Sequence, residues 1–181
     1  MEALKGKNIL LIIPKSQFCE EELAGLLVPL KNAGANVIVL SKNGQKARGM
    51  GRTSFQPDGI LVDWDKQPGV LGKYSAVFVL GGKGSAKSLW DDPILPQILT
   101  DHHRAGKIVG AIGTSVVSLV KAGLVYDSSP SPDDEKTRET LESIGVIPLD
   151  TPLYCSNRIL IGKDSTVIKN FFEKTVEVLD S

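Results

Sequence analysis

Apolar positions along the chain follow two alternating rhythms. Asn8-Ile-Leu-Leu-Ile-Ile13 is a continuous apolar run closed by Pro14, the pattern of a strand buried on both faces of a parallel sheet. Leu23, Leu26, Leu27 and Leu30 then fall at i, i+3, i+4 and i+7, with Gly34 behind them. That spacing predicts an amphipathic helix ended by a glycine cap. Val37–Leu40 supplies a second strand, so residues 7–40 read as a β-α-β unit, whose crossover is expected to be right-handed. From Gly44 to Asp65 helical periodicity vanishes while Gly, Arg and Lys increase, which predicts a hairpin or irregular excursion.

The rhythm then resumes. Ala76-Val-Phe-Val-Leu80 is the next buried strand; it runs into Gly81-Gly-Lys-Gly84, a polar turn, and a helix carrying Ile94, Ile98 and Leu99. Lys107–Ile112 predicts a strand and Val116–Ala122 a helix closed by Gly123. Ser128-Ser-Pro-Ser-Pro-Asp-Asp134 reads as a polar, Pro-rich loop, either mobile or opening the helix Asp134–Ile144. Arg158–Ile161 predicts a short late strand, and Val167, Ile168, Phe171, Phe172 and Val176 give the last helix a broad apolar face. The fold class is therefore α/β: a doubly wound, mostly parallel sheet flanked by helices, in one domain over residues 1–181. Ligands of such folds gather at the carboxyl ends of the strands.

Composition narrows the function classes. The chain has 181 residues, 21 Lys+Arg against 21 Asp+Glu, and 41% hydrophobic residues. Zero formal charge removes the footprint of a protein that binds nucleic acid or anionic membrane through charge alone. No apolar stretch approaches the ~20 residues that span a bilayer, and no signal peptide is read at the start. The expectation is a cytoplasmic protein that binds neither nucleic acid nor membrane. Two cysteines, Cys19 and Cys155, are too few for a disulfide framework or a self-contained zinc site; no metal or cofactor is expected.

Three strand ends carry candidate chemistry. In the loop Ser16–Glu22, Cys19 and Glu22 are three residues apart, close to one face if the helix has begun. A helix N-terminus lowers a thiol pKa while neighbouring carboxylates raise it, and Glu20 and Glu21 are expected to complement the helix dipole. Gly81-Gly-Lys-Gly-Ser-Ala-Lys-Ser88 nearly spells a phosphate-binding G-x-x-x-x-G-K-[ST] loop, but Ala86 occupies the sixth position. The more natural reading is a turn whose backbone N–H groups shape a pocket floor. In Gly110-Ala-Ile-Gly-Thr-Ser-Val-Val117 a strand turns abruptly into a helix, as at a nucleophile elbow, with Gly113 at the elbow and Thr114 and Ser115 as expected helix caps. His102 and His103 are expected at the surface, at the exposed end of the preceding helix. Cys155 is expected to be a buried structural thiol.

These loops, in this order, resemble the ThiJ/PfpI family, the superfamily that includes the parkinsonism-associated protein and the intracellular PfpI protease. Phe18-Cys-Glu-Glu-Glu-Leu23 looks like the family's first loop, with Glu22 matching the carboxylate that meets the catalytic thiol. Tyr74-Ser-Ala-Val-Phe-Val-Leu-Gly-Gly82 resembles the strand ending in Pro-Gly-Gly, with Leu80 in place of proline. Leu89-Trp-Asp-Asp92, Ala105-Gly-Lys107, Gly110-Ala-Ile112 and Lys121-Ala-Gly-Leu124 follow the pattern around the elbow. The resemblance implies a flavodoxin-like, class I glutamine amidotransferase-like fold and a homodimer. It also marks a departure: where the family typically reads Ala-Ile-Cys, this chain reads Ala111-Ile112-Gly113, and Thr114 stands where hydrolase-like members carry histidine.

Glycine at an elbow is physically sensible, because it adopts sparsely allowed conformations with little penalty. Two functional readings follow. In one, the scaffold keeps Glu22, the Gly81-Gly82 turn and the helix start at Thr114 and Ser115 as a small polar pocket for an anionic or carbonyl ligand, without catalysis. In the other, an enzyme of glyoxalase, deglycase or hydrolase type uses a displaced nucleophile, Cys19 with Glu22. A third and lesser reading places a phosphate ligand at Gly81–Ser88.

Overall fold

The computed structural model describes residues 2–180. In chain order the elements are β1 (Asn8–Ile12), α1 (Glu20–Asn32), β2 (Asn36–Ser41), β3 (Ala47–Arg48), β4 (Ser54–Phe55), β5 (Gly59–Ile60), β6 (Ala76–Val79), α2 (Ser85–Ser88), α3 (Leu95–Arg104), β7 (Ile108–Ile112), α4 (Val116–Lys121), β8 (Ser128–Pro130), α5 (Glu135–Ile144), β9 (Ile147–Leu149), β10 (Leu153–Ser156), β11 (Ile159–Gly162) and α6 (Ile168–Asp180). Seven strands form one sheet in the order β10-β11-β7-β6-β1-β2-β5. Every pairing in it is parallel except β10 with β11.

The twofold period of a strand explains how continuous apolar runs serve two cores. Ile9, Leu11 and Ile13 face one side, packing with Leu23, Leu26 and Leu30 of α1 and Phe171 of α6. Leu10 and Ile12 face the other, with Ile98 and Leu99 of α3, Val116, Val117 and Leu119 of α4, and Leu141 of α5. From β1 the chain winds outward to β2 and β5, then returns to the other flank of β1 with β6, β7 and β11. The carboxyl ends of β1 and β6 thus flank a topological switch point, the place where such sheets hold ligands. Among the described residues, no helix is long and apolar enough to cross a membrane.

The predicted excursion is the small antiparallel β3–β4 hairpin, followed by β5, which returns to the edge of the main sheet. Three expectations are corrected. Residues 128–134 are not loop throughout: Ser128–Pro130 form β8, which pairs in parallel with β9, and Ser129 and Ser131 are buried, each hydroxyl bonding to the carbonyl of the proline that follows. Asp134 then caps α5 by accepting the Thr137 N–H at 2.9 Å. Cys155 lies exposed on the edge strand β10, not buried.

His102 is fully buried rather than exposed. Its Nδ1–H donates to the Ile98 carbonyl at 2.7 Å, and its Nε2 accepts the Tyr74 N–H at 3.2 Å, which fixes the neutral Nδ1–H tautomer. The Trp64 ring meets the imidazole edge-on at 5.1 Å. Burial holds its pKa below the ordinary histidine value, so this group contributes stability that is full above the unfolded pKa and falls as pH drops below it. His103 alone lies toward the surface, its Nε2 2.9 Å from the Asn157 carbonyl oxygen.

Candidate functional site

Glu22 is the residue around which the three strand ends close. It sits in the first turn of α1 on the helix's buried face, only 4% exposed. The Gly81 N–H, just beyond β6, donates to its Oε1 at 2.7 Å. The elbow after β7 closes over its other oxygen: a Cβ built on Gly113 would lie 3.0 Å from Oε2. Burial raises the Glu22 carboxyl to about 8, more than the Gly81 N–H and the Cys19 contact lower it. At neutral pH it is therefore mostly protonated. With Oε1 engaged by an amide, the free position for that proton is Oε2, facing the elbow.

Gly113 has φ +62°, the left-handed region that disfavours any side chain. It opens a single 3₁₀ turn, Gly113–Ser115, that leads into α4. The Thr114 and Ser115 hydroxyls, expected from sequence to cap the helix, make no cap hydrogen bond; they tie the elbow to the glycine turn. Thr114 Oγ1 accepts the Gly82 N–H at 3.1 Å and lies 3.0 Å from both the Gly82 carbonyl and Ser85 Oγ. Ser115 Oγ donates to the Leu80 carbonyl at 2.6 Å.

The Gly81–Gly84 turn is likewise engaged by the protein itself. Gly81 N–H serves Glu22, Gly82 N–H serves Thr114, Gly84 N–H serves the Gln17 carbonyl and Ser85 N–H the Gly82 carbonyl. Its glycines are required by close backbone approach, since a Cβ on Gly82 would come within 2.2 Å of the Gln17 carbonyl oxygen. The amides of Gly81 and Gly82 are thus not a free anion cradle. Nor do Gly81–Ser88 form a P-loop of their own: the Ser88 hydroxyl, which such a loop offers to its ligand, is held between the Gly84 carbonyl and the Lys15 N–H.

Cys19 adjoins this cluster, its N–H donating to the Gly81 carbonyl at 2.9 Å. Its thiol donates to Glu21 Oε2 at 3.3 Å. Burial, and then the Glu22 charge, push that thiol up to about 12, so at neutral pH it holds its proton and is a poor nucleophile. Glu20 does more than complement the helix dipole. Its carboxylate accepts the Gly51 and Thr53 N–H groups and the Thr53 hydroxyl, the last at 2.7 Å, pinning the β3–β4 hairpin to α1. Among the described residues, no group of three or more His, Cys, Asp or Glu is placed to hold a metal ion.

An open cleft of about 290 Å³ abuts the elbow at Gly82 and Thr114. Trp90 forms one wall, its Nε1–H donating to the Thr114 carbonyl at 2.9 Å, and Lys83, Asp134 and Lys136 bring charge to it. Lys136 Nζ stands 5.9 Å from the Trp90 ring centroid, within cation–π range. Spacing along the chain does not single out these four, since Lys136 reaches the cleft only because α5 packs beside α4.

A family model described as DJ-1/PfpI matches residues 7–175. An uncharacterized protein of Methanocaldococcus jannaschii is 23% identical over 183 aligned positions, covering 99% of this chain and 85% of that protein. Among solved structures, a ThiJ/PfpI domain protein from Brachyspira murdochii is 22% identical with a TM-score of 0.84, covering 97% of each chain. Drosophila melanogaster DJ-1beta is 19% identical with a TM-score of 0.78, covering 96% of this chain and 90% of that one. These structural likenesses bear on the fold: the same α/β arrangement with a mostly parallel sheet between helices.

Proposed function

The chain belongs to the DJ-1/PfpI family, and from that premise we propose that it is a cytoplasmic, non-catalytic member with Gly113 at the nucleophile position. In this reading it binds a small anionic or carbonyl ligand in the cleft beside the elbow. The observation that carries the reading is the Gly113–Glu22 contact: a buried carboxyl, which burial raises to about 8, faces an elbow residue that has no side chain to present. Lys83 and Lys136 supply positive charge for an anionic or carbonyl oxygen, and Trp90 supplies an apolar wall. The competing displaced-nucleophile reading requires a Cys19 thiolate, and a thiol pushed up to about 12 argues against one.

The test is kinetic. Methylglyoxal incubated with the parent protein is expected to disappear no faster than in buffer, and Cys19→Ser is expected to behave identically. Turnover by the parent that Cys19→Ser abolishes would overturn the reading and install Cys19 as the nucleophile.

The same reading includes a homodimer. The surface assigned to it is the apolar groove between α1 and the β3–β4 hairpin, where Leu23, Leu27 and Phe55 line the floor and Val28 is 56% exposed. Sedimentation velocity is expected to show a dimer for the parent and a monomer for Val28→Asp, because an unpaired charge buried at an interface is strongly unfavourable. A Val28→Asp protein that still sediments as the parent dimer excludes this face.

A further inference from the structure

The elbow cleft is not the largest concavity at this end of the sheet. About 540 Å³ opens between the β1 loop, the β3–β4 hairpin and the start of α2, and it shares no lining residue with the cleft at Trp90. Its walls are fixed by main-chain bonds: Gln17 N–H to the Arg48 carbonyl at 2.6 Å, Met50 N–H to the Phe18 carbonyl at 2.9 Å, and Gly84 N–H to the Gln17 carbonyl at 3.2 Å. Gln17 and Arg52 both adopt left-handed backbone conformations, φ +54° and +68°, a strain that persists only where surrounding structure over-determines it.

Three cations line the concavity, Arg48, Arg52 and Lys87, and no carboxylate does. All three side chains are exposed, and none has an ion-pair or side-chain hydrogen-bond partner among the described residues. Glu20, which reaches the same hairpin turn, has its oxygens engaged by Gly51 and Thr53. In a chain with as many acidic as basic residues, like charges gathered without partners in one recess raise its potential and draw in anions.

We propose that this recess binds a small polyanion of the di- or triphosphate class. The two guanidinium groups meet phosphate oxygens in forked hydrogen bonds, and Lys87 adds a point charge. Three cations match a ligand carrying several charges better than a single phosphate. A bounded concavity in a chain of zero net charge fits a compact ligand rather than a strand of nucleic acid, which needs an extended basic track. The inference is independent of the elbow reading, since neither cleft contributes a residue to the other.

Titration of ¹⁵N-labelled protein with inorganic triphosphate, pyrophosphate, orthophosphate and a short oligothymidylate, at one fixed ionic strength, tests it. Triphosphate is expected to bind most tightly and orthophosphate least, with amide shifts confined to Ser16, Gln17, Arg48–Arg52 and the Gly84–Lys87 turn. Arg48→Gln, Arg52→Gln and Lys87→Gln are each expected to weaken triphosphate binding about tenfold, as loss of a charge-assisted contact does. All three are surface changes, and an unchanged spectrum away from the recess verifies their folding. Orthophosphate binding as tightly as triphosphate, affinity indifferent to the three variants, shifts centred on Trp90 and Lys136, or tighter binding of the oligothymidylate would each overturn the proposal.

Discussion

Glu22→Gln is expected to make the protein more stable than the parent at about pH 9 by a few kcal/mol, while leaving the two nearly equal near pH 5. The Glu22 carboxyl is almost wholly buried, and burial, assisted by the Asp164 and Glu21 charges, raises it from 4.5 to about 8 against the opposing pull of the Gly81 N–H and Cys19. The folded chain therefore holds this proton more tightly than the unfolded chain does. Its contribution to stability is complete below the unfolded value and is lost as pH rises toward and through the folded one. At about 1.36 kcal/mol for every pH unit between the unfolded and folded values, the swing is on the order of 5 kcal/mol. Glutamine keeps an oxygen for the Gly81 N–H and never ionises, so it removes the swing without removing the hydrogen bond. Urea denaturation of both proteins from acid to alkaline pH reads the effect as a difference curve, in which other titrating groups cancel. A flat difference curve would mean that water reaches the carboxyl and that its burial does not raise it.

That carboxyl also shows how far sequence reasoning reaches. The central strands are legible because β1, β6 and β7 are buried on both faces, so the runs within Ile9–Ile12, Ala76–Val79 and Ile108–Ile112 carry no polar side chain. Leu23, Leu26 and Leu30 announce α1 for the complementary reason, a single buried stripe. Ser128–Pro130 hides its strand, since local composition there is that of a loop and the pairing with Ile147–Leu149 is non-local. His102 is misplaced by sequence alone because, beyond the local Ile98 carbonyl, its second hydrogen bond and its ring contact come from Tyr74 and Trp64, on a different part of the chain. At the site, Glu22 and Gly113 can be paired from motif resemblance. The engagement of the Gly81 and Gly82 amides by Glu22 and Thr114 cannot, because it depends on angstrom-scale approach between three loops. The recess of Arg48, Arg52 and Lys87 is equally hidden, since a net charge of zero says nothing about where charges collect.

Gly113→Cys is expected to install a thiol that is alkylated by iodoacetamide at neutral pH at least about tenfold faster than Cys19 of the parent, and to consume methylglyoxal faster than the parent does. Two costs oppose the substitution. A side chain at φ +62° is strained by roughly 1–3 kcal/mol, and the new Cβ must displace Glu22 Oε2 slightly from a separation of 3.0 Å. Gly113→Ala carries the same costs without sulfur, so it isolates the chemical effect from the conformational one. The gain arises from Glu22. With its proton on Oε2, the carboxyl is a hydrogen-bond donor to a thiolate held above it, whereas Cys19 faces the Glu21 carboxylate as well. The thiolate then adds to the aldehyde carbon of methylglyoxal, forming a C–S bond. The carbonyl oxygen takes the Oε2 proton, which leaves a neutral hemithioacetal and an ionised Glu22. Ionisation of Glu22 near pH 8 converts the donor to a repelling charge, so the alkylation profile of Gly113→Cys should bend there, and the bend should vanish when Glu22→Gln is added. A folded Gly113→Cys protein that labels no faster than Cys19 and consumes no methylglyoxal would show that a thiol at this elbow is not sufficient for reactivity. A bend that survives Glu22→Gln would assign the titration to another group.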